Sequence, residues 1–347
     1  MELEKLINSL SELMSVTGHE GNGAAELESL IGAGFDESFT DAVGNRFFVK
    51  RCGREGAPKI LIDAHMDEIG LIVSDIKDDG FLTVAPIGGV DLRTLQAGDV
   101  VIYGKEKIFG VVGSTPPHLR RPEEGNSLKE ATELLIDTGY SKEKISELVR
   151  NGTPVGFKPV YKHLFGSRIA GKGFDDKSCA ACAVIGISRV AREELAGDVY
   201  LMLSSREETG MFGGAAPGAY SIAPDYAMVI DVNLGKTPDT SKSETVAVGG
   251  GASLTLCPVT DKTMNKKLIA LAKEKEIKTQ ICITGGSTGT NASAVNLTGA
   301  GIPCVDVGLP LKGMHTATEV LDLEDAESVA SLVALFISTK DMTEVTA

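Results

Sequence analysis

No tryptophan occurs among the 347 residues, and aromatic residues as a class make up only 5%. Few ring faces are therefore present to stack against sugars. Basic residues are also scarce: 34 Lys and Arg stand against 48 Asp and Glu, a formal net charge of −14. That balance argues against binding along a nucleic-acid phosphate backbone, which needs clustered cations, and against attraction to an anionic membrane surface. No apolar run approaches the roughly 18 residues that a membrane span needs. The opening MELEKLINSLSELMSVTG has no basic n-region and no cleavage-like apolar stretch, so no signal peptide is expected. Its Leu3, Leu6, Ile7, Leu10 and Leu13 fall at helical spacing instead. Internal repeats, low-complexity segments and a Walker-type phosphate loop are all missing. The glycine-rich TGGSTGTNAS (284–293) lacks the lysine of a phosphate loop and the spacing of a dinucleotide fingerprint.

Cysteine is thinly spread. Cys52, Cys179, Cys182, Cys257, Cys282 and Cys304 are scattered through a long chain, the pattern of reduced thiols in a cytoplasm. Cys179 and Cys182 form a CxxC within DDKSCAACAVIGISRVAREEL, where Ala180, Ala183, Val184, Ile187, Val190 and Ala191 mark a helix with one buried face. Two core thiols are expected there, with a redox or metal role as the alternative.

What is present is alternation. KILIDAH, DVYLMLSS, DYAMVIDV and IPCVDVGL read as strands, while FDDKSCAACAVIGISRVA, DKTMNKKLIALAKEKEI and EDAESVASLVALFIS read as helices. This implies an α/β fold with a mostly parallel, mixed sheet and helices on both faces. From Ile69 to Tyr161 the texture changes to short strand-like pieces separated by Gly, Pro and Asp-Gly turns, typical of an antiparallel barrel or meander. The stretch SLKEATELLIDTGYSKEKISELV within it reads as helix. Residues 1–68 and 162–347 are thus expected to form one catalytic domain, with 69–161 an inserted β-rich, barrel-like domain.

The segment LSSREETGMFGG places Glu207 and Glu208 side by side after an apolar run. Adjacent side chains in a strand point to opposite faces. Two carboxylates can share a site only where the strand ends and the backbone turns, as Gly210, Gly213 and Gly214 permit. Other apolar strands end in the same kind of residue. KILIDAHMDE leads to His65 and Asp67, YAMVID to Asp231, and IPCVDVGLPLKGMH to His315, while GKGFDDKS puts Asp175 and Asp176 in a turn entering a helix. In open α/β sheets the ligand crevice lies outside the carboxyl ends of the strands. Two imidazoles and several carboxylates converging there are what a pair of borderline divalent ions prefers.

Taken in order, DAHMDEIG, FDDKSCAA, SREETGMFGGA, VIDVN and GMHTATE resemble the dinuclear zinc aminopeptidases of metallopeptidase family forty-two. This is the glutamyl and deblocking group that includes the tetrahedral (TET) peptidases, some of whose members carry a cellulase label. Weaker echoes are TGHEG, TDAVGNRF, GVVGSTPPHL and NLTGAGIPCVDVGLP. The resemblance implies that His65 binds one metal with Asp67 as its orienter. It also implies that Asp175 bridges two metals, that Glu208 and Asp231 complete the spheres, and that His315 binds the second ion. Glu207 is left as the general base for a metal-bridging hydroxide. Two divalent ions per chain are implied, zinc in the first place, with cobalt or manganese alternatives. So are short peptide substrates, cleavage from the N-terminus, and a homo-oligomer in which inserted domains build dimers and dimers build a dodecamer.

Two positions depart from the family pattern. Where it commonly has Gly-Thr-Asp-Ala, this chain has Gly289, Thr290, Asn291 and Ala292, which puts the substrate-binding role of Gly289 and Asn291 in question. An aromatic is often found two residues before the last histidine; here it is Gly313. A dinuclear deacylase acting on N-acylated amino acids is the competing enzyme reading, with Arg93, Arg120, Arg121 and Lys312 as candidate carboxylate clamps. A non-catalytic assembly protein with a relic site is the third. Glycoside hydrolysis ranks last, since it needs two carboxylates free of metal. His19, His118 and His163 are expected to be structural.

Overall fold

The computed structural model describes residues 2–113, 134–210, 213–241 and 245–344. His118, Arg120 and Arg121 lie outside the described residues, as does the first part of the helix expected from Ser127 onward.

Four strands read from the sequence and four that were not form one mixed sheet of eight. Its spatial order is β1 (Glu37–Thr40), β2 (Arg46–Lys50), β12 (Asp198–Ser204), β3 (Lys59–His65), β13 (Tyr226–Leu234), β16 (Cys304–Leu311), β14 (Ala252–Leu256) and β15 (Thr279–Ile283). The four central strands, β12, β3, β13 and β16, run parallel. The period of two explains why they are apolar throughout. Ile60, Ile62 and Ala64 of β3 face a core shared with α1 (Leu3–Glu12), α4 (Phe174–Ser188), α6 (Lys262–Glu274) and α8 (Leu323–Ser338). Leu61 of β3, Met202 of β12 and Val229 of β13 face the opposite core, against α5 (Ala215–Ile222) and α7 (Ala292–Asn296). Continued along that second face, the same alternation brings Asp63 and His65, Ser204, and Asp231 to the carboxyl ends of three adjacent strands. One difference from the sequence reading is that β13 does not end at Asp231 but pairs with β16 as far as Leu234.

The six strands β4 (Gly70–Ile76), β5 (Leu82–Ile87), β6 (Asp99–Tyr103), β7 (Lys107–Val112), β8 (Leu135–Asp137) and β9 (Pro154–Phe157) close into a barrel. Its interior is a separate apolar cluster that includes Leu71, Val84, Ile102, Ile136 and Val155. Leu135–Asp137 corrects the helix expected there. Its Ile136 alternates between exposed neighbours and pairs with Leu82 and Val112, so period two wins over the helical reading. The expected helix does form at α3 (Lys142–Leu148), after the Ser141 N-cap. The remaining helix is α2 (Ala24–Ile31), and β10 (Tyr161–His163), β11 (Arg168–Gly171) and β17 (Glu319–Asp322) make a small third sheet.

All six cysteines are free thiols, and Cys179 and Cys182 are fully buried on α4, as a core reading of the CxxC requires. Burial pushes both thiols up, which keeps them protonated and unreactive. Next to them, Gly186 lets α4 and α8 touch: a Cβ there would lie 2.5 Å from the Ala330 carbonyl oxygen and 2.6 Å from the Val333 Cβ. Gly186→Ala is therefore expected to destabilise the fold by about 1–3 kcal/mol through overpacking, despite the better helix propensity of alanine. Chemical denaturation would check this, and an unchanged midpoint would contradict it.

Candidate active site

A cleft of about 480 Å³ opens at the carboxyl ends of the parallel strands. His65, Asp175, Glu207, Glu208, Asp231 and His315 line it, with Gly289 and its two threonine neighbours on one wall. None of the described residues lining it is Lys or Arg.

Asp175 lies at its centre. It sits in the first turn of α4 with φ −77° and ψ 105°, outside helical geometry, after Gly173 at φ +60°. One carboxylate oxygen, Oδ1, is 3.0 Å from His65 Nε2, and the other, Oδ2, is 3.5 Å from His315 Nε2. Around His65 Nε2 stand Asp231 Oδ1 at 3.9 Å and Glu207 Oε2 at 4.0 Å. Around His315 Nε2 stands Glu208 Oε2 at 3.3 Å. Two donor groups thus meet on one carboxylate.

The adjacent glutamates share this site because the strand stops. Arg206 has φ +61°, a 3-10 turn covers Glu207–Thr209, and Gly210 follows at φ +72°. Glu208 is buried, whereas the Glu207 side chain keeps 12% of its surface. The barrel contributes a glycine pair that the sequence reading passed over. A Cβ on Gly88 would press on Ile69 and Glu208, and one on Gly89 would lie 2.6 Å from His315 Nδ1.

The tautomer of His65 follows from its partner. Nδ1 is 2.9 Å from the Asp67 carbonyl oxygen, which can only accept, so Nδ1 carries the proton. A neutral His65 then points the Nε2 lone pair at three carboxylates. Asp67 meets the ring through its carbonyl, and its carboxylate Oδ1 also lies 3.5 Å from Nδ1. The carboxylate further accepts the Glu207 N–H at 3.0 Å, the Glu208 N–H at 3.1 Å and the Thr17 hydroxyl at 2.8 Å.

Asp176, named at the entry of the helix, was given no role, and two further buried acids went unrecognised. Asp176 accepts the His65 N–H at 3.1 Å. Glu319 accepts the Asp175 N–H at 3.2 Å and also bonds the Phe174 and His315 amides. Asp63 accepts from Asn291 Nδ2 at 2.9 Å. Asp176 and Glu319 were inside the quoted motifs; Asp63, two residues before His65 on the same strand face, was the legible one. Asn291 itself does not reach the cleft: it is buried, and Nδ2 also bonds Ser204 Oγ at 2.9 Å. Neither His19 nor His163 lines the cleft, and His163 Nε2 lies 2.9 Å from Glu4 instead.

The donor set fits divalent cations. His65, Asp175 and Glu208 can place ligand atoms within 4.8 Å of one another, and so can His65, Asp176 and Asp231. Glu208 Oε1 and Asp176 Oδ1 are buried with no hydrogen-bond partner. Burial, reinforced by Asp175, pushes Glu208 up to about 10. Burial also raises Asp231, Asp176 and Glu207, and it lifts Asp63 to about 7. Burial opposes charge on His65, yet the Asp175 and Asp67 carboxylates hold its pKa well up. Acceptors facing acceptors in a dry site call for a shared positive charge.

This donor set at the strand ends could hold divalent cations. The family model of the M42 glutamyl aminopeptidases matches residues 44–332, and the chain belongs to that family. It is 30% identical to a lysyl aminopeptidase of Pyrococcus furiosus, over 97% of this chain and 98% of that one. An aminopeptidase from the archaeon Desulfurococcus kamchatkensis superposes with a TM-score of 0.90 at 32% identity, covering 98% and 96% of the two chains. The TET1 peptidase of Pyrococcus horikoshii, which can assemble into a tetrahedron or a large octahedral shell, superposes with a TM-score of 0.84 at 29% identity, covering 97% and 99%. The protein is therefore a peptide-bond hydrolase.

The acids set a pH dependence for the metal-free protein. Asp63 keeps its proton up to about 7 when folded and Glu208 up to about 10, against 3.8 and 4.5 for the free groups. Between those limits the folded state binds more protons than the unfolded, so stability falls as pH rises. His65, raised, works in the same direction. The metal-stripped protein is expected to melt lower at pH 8 than at pH 5, and zinc or cobalt is expected to restore the loss at pH 8. Calorimetry of stripped and loaded samples checks both; a stripped protein more stable at pH 8 would contradict the first.

Proposed function

We propose that the protein is a divalent-metal-dependent aminopeptidase that removes N-terminal residues from short peptides. The observation that carries this reading is the Asp175 carboxylate, one oxygen on the His65 side and the other on the His315 side. His65, Asp231 and one oxygen of Asp175 would hold one ion, and His315, Glu208 and the other oxygen the second. Two such ions, zinc or cobalt for this donor set, would polarise the scissile carbonyl and lower the pKa of water toward about 7.

The chain supplies the rest. Glu207 takes the proton of the attacking water and later delivers it to the nitrogen of the leaving peptide, so that carboxylate and charge are both regenerated. Its pKa, raised by burial, suits that return. Asp67 holds the Glu207 and Glu208 amides and so fixes the base against its ligand neighbour. A cleft lined by carboxylates and free of Lys and Arg among its described residues favours a cationic substrate end, the free α-amine. The same feature weighs against the deacylase. Arg93 is bound to Asp91 at 2.7–3.1 Å, and Lys312 does not line the cleft. By likeness to the TET1 peptidase, we infer a homo-oligomer in which the 69–161 segment pairs subunits and the dimers build a dodecamer. From its six free cysteines we infer a cytoplasmic enzyme; no helix among the described residues is long and apolar enough to cross a membrane.

A panel of unblocked short peptides and their N-acetylated twins, with and without chelator, tests the reading. Release of amino acids from the unblocked set alone, lost with chelator and restored by zinc or cobalt, is expected. Cleavage of the acetylated set would replace it with the deacylase. Glu207→Gln is expected to lower kcat by about 10²–10⁴-fold with metal content unchanged. Loss of metal instead would make Glu207 a ligand.

A further inference from the structure

The Glu207–Glu208 turn is held in an unusual way. Four consecutive backbone amides each donate to a side-chain oxygen from a distant part of the chain. The Ser205 N–H reaches Asn45 Oδ1 at 2.9 Å, and the Arg206 N–H reaches Glu20 Oε1 at 3.1 Å. The Glu207 and Glu208 amides reach the two oxygens of Asp67. Asn45 is itself fixed, since it is fully buried and its Nδ2 donates to Asp41 at 2.7 Å and to the Gly214 carbonyl at 2.8 Å. Of the four peptides, that of Arg206 bears the strain, because its φ of +61° is a left-handed conformation that a side chain with a Cβ disfavours.

We propose that Glu20 is a positioning residue for Glu207: its carboxylate clamps the strained Arg206 peptide and so sets the direction in which the next side chain enters the cleft. The inference rests on the reading of Glu207 as the base. Glu20 is placed for this by its own turn, in which the same Oε1 accepts the Gly18 N–H at 3.0 Å at the start of the 3-10 segment Glu20–Gly23. A charged acceptor makes the stronger bond to an amide. Without it the Arg206 N–H loses its partner while the amides on either side stay held by Asn45 and Asp67. The defect then falls on the Ser205–Arg206 peptide plane, whose rotation changes φ of Arg206 and so the direction from which the chain enters Glu207, without opening the fold. A small misplacement of a proton-transferring group costs rate more than binding.

The test compares Glu20→Ala and Glu20→Gln with the parent protein. In metal-loaded enzyme, Glu20→Ala is expected to lower kcat about 10–100-fold, with KM within about twofold and metal stoichiometry unchanged. Glu20→Gln keeps an acceptor oxygen at the same reach and is expected to retain most of kcat. In metal-free protein, amide exchange at Arg206 is expected to quicken by about tenfold or more in Glu20→Ala and not in Glu20→Gln. Should the alanine variant not fold, Glu20→Asp, one methylene short, takes its place. Unchanged exchange and full kcat in Glu20→Ala would overturn the clamp, as would equal losses in the Ala and Gln variants with exchange unaltered. Activity retained by Glu207→Gln would instead overturn the reading of the base, and the exchange measurement would still decide whether Glu20 holds the turn.

Discussion

Crowding of like charge around Asp175 is the constraint that the rest of the molecule answers. Asp63, Asp67, Asp175, Asp176, Glu208, Asp231 and Glu319 are all buried, and an isolated buried carboxylate is too costly to persist as an ion. Asp63 apart, which accepts from Asn291, the fold divides them into two kinds. Asp175, Glu208 and Asp231 turn their oxygens toward the imidazoles and one another, a set that wants cations. Asp67, Asp176 and Glu319 turn theirs toward backbone amides of the very segments that carry the first group: Glu207 and Glu208, His65, and Asp175. The second set is thereby partly neutralised by peptide dipoles and, in the same bonds, fixes the first.

A separate buried cluster anchors the Asp175 turn from behind. Glu68, three residues beyond His65, accepts from Lys172 Nζ at 2.7 Å and lies 3.0 Å from Lys177 Nζ, with all three side chains buried. Lys177 also donates to the Leu13 carbonyl at 2.7 Å. Burial pulls Lys177 down to about 7, while the two lysines, against burial, hold Glu68 below its ordinary value. Breaking such a cluster leaves an uncompensated buried charge, so its members are bound to each other more than any one of them stabilises the fold. Its effect is geometric. It ties the end of α1, the exit of β3 and the loop before Asp175 into one unit under the cleft.

The sheet and the polar residues that line its cleft were legible for one reason: buried parallel strands are long apolar runs, and a polar residue at the end of such a run stands out. His65, Glu207, Glu208 and His315 were found that way, and Asp231 too, although its strand runs on to Leu234. The barrel was legible by texture, while Leu135–Asp137 was not, because three residues cannot separate the periods of helix and strand. Asp67 was found, but its bonds to the Glu207 and Glu208 amides were not, since sequence does not show which backbone groups a side chain meets. The bonds of Asp176, Glu319 and Glu20 were missed for a deeper reason. Each earns its place through an amide far along the chain, and no local pattern records a contact across 111, 144 or 186 residues.

Asn291 shows how a departure from a family pattern can be compensated. By resemblance a carboxylate is expected there, yet the residue lies fully inside the protein with Asp63 Oδ2 and Ser204 Oγ each 2.9 Å from its Nδ2. Beside a carboxylate already on β3, a second one would put two buried like charges in contact, whereas an amide donates to the first. The neighbouring Thr290 makes the matching bond, its hydroxyl donating to the buried Asp306 at 2.8 Å. The Thr288–Thr290 wall of the cleft is thus pinned at its base by two carboxylates, Asp63 and Asp306, on the strands beneath it. Asn291 therefore acts on the cleft through the backbone of that wall, and the set of donors around Asp175 does not draw on its side chain.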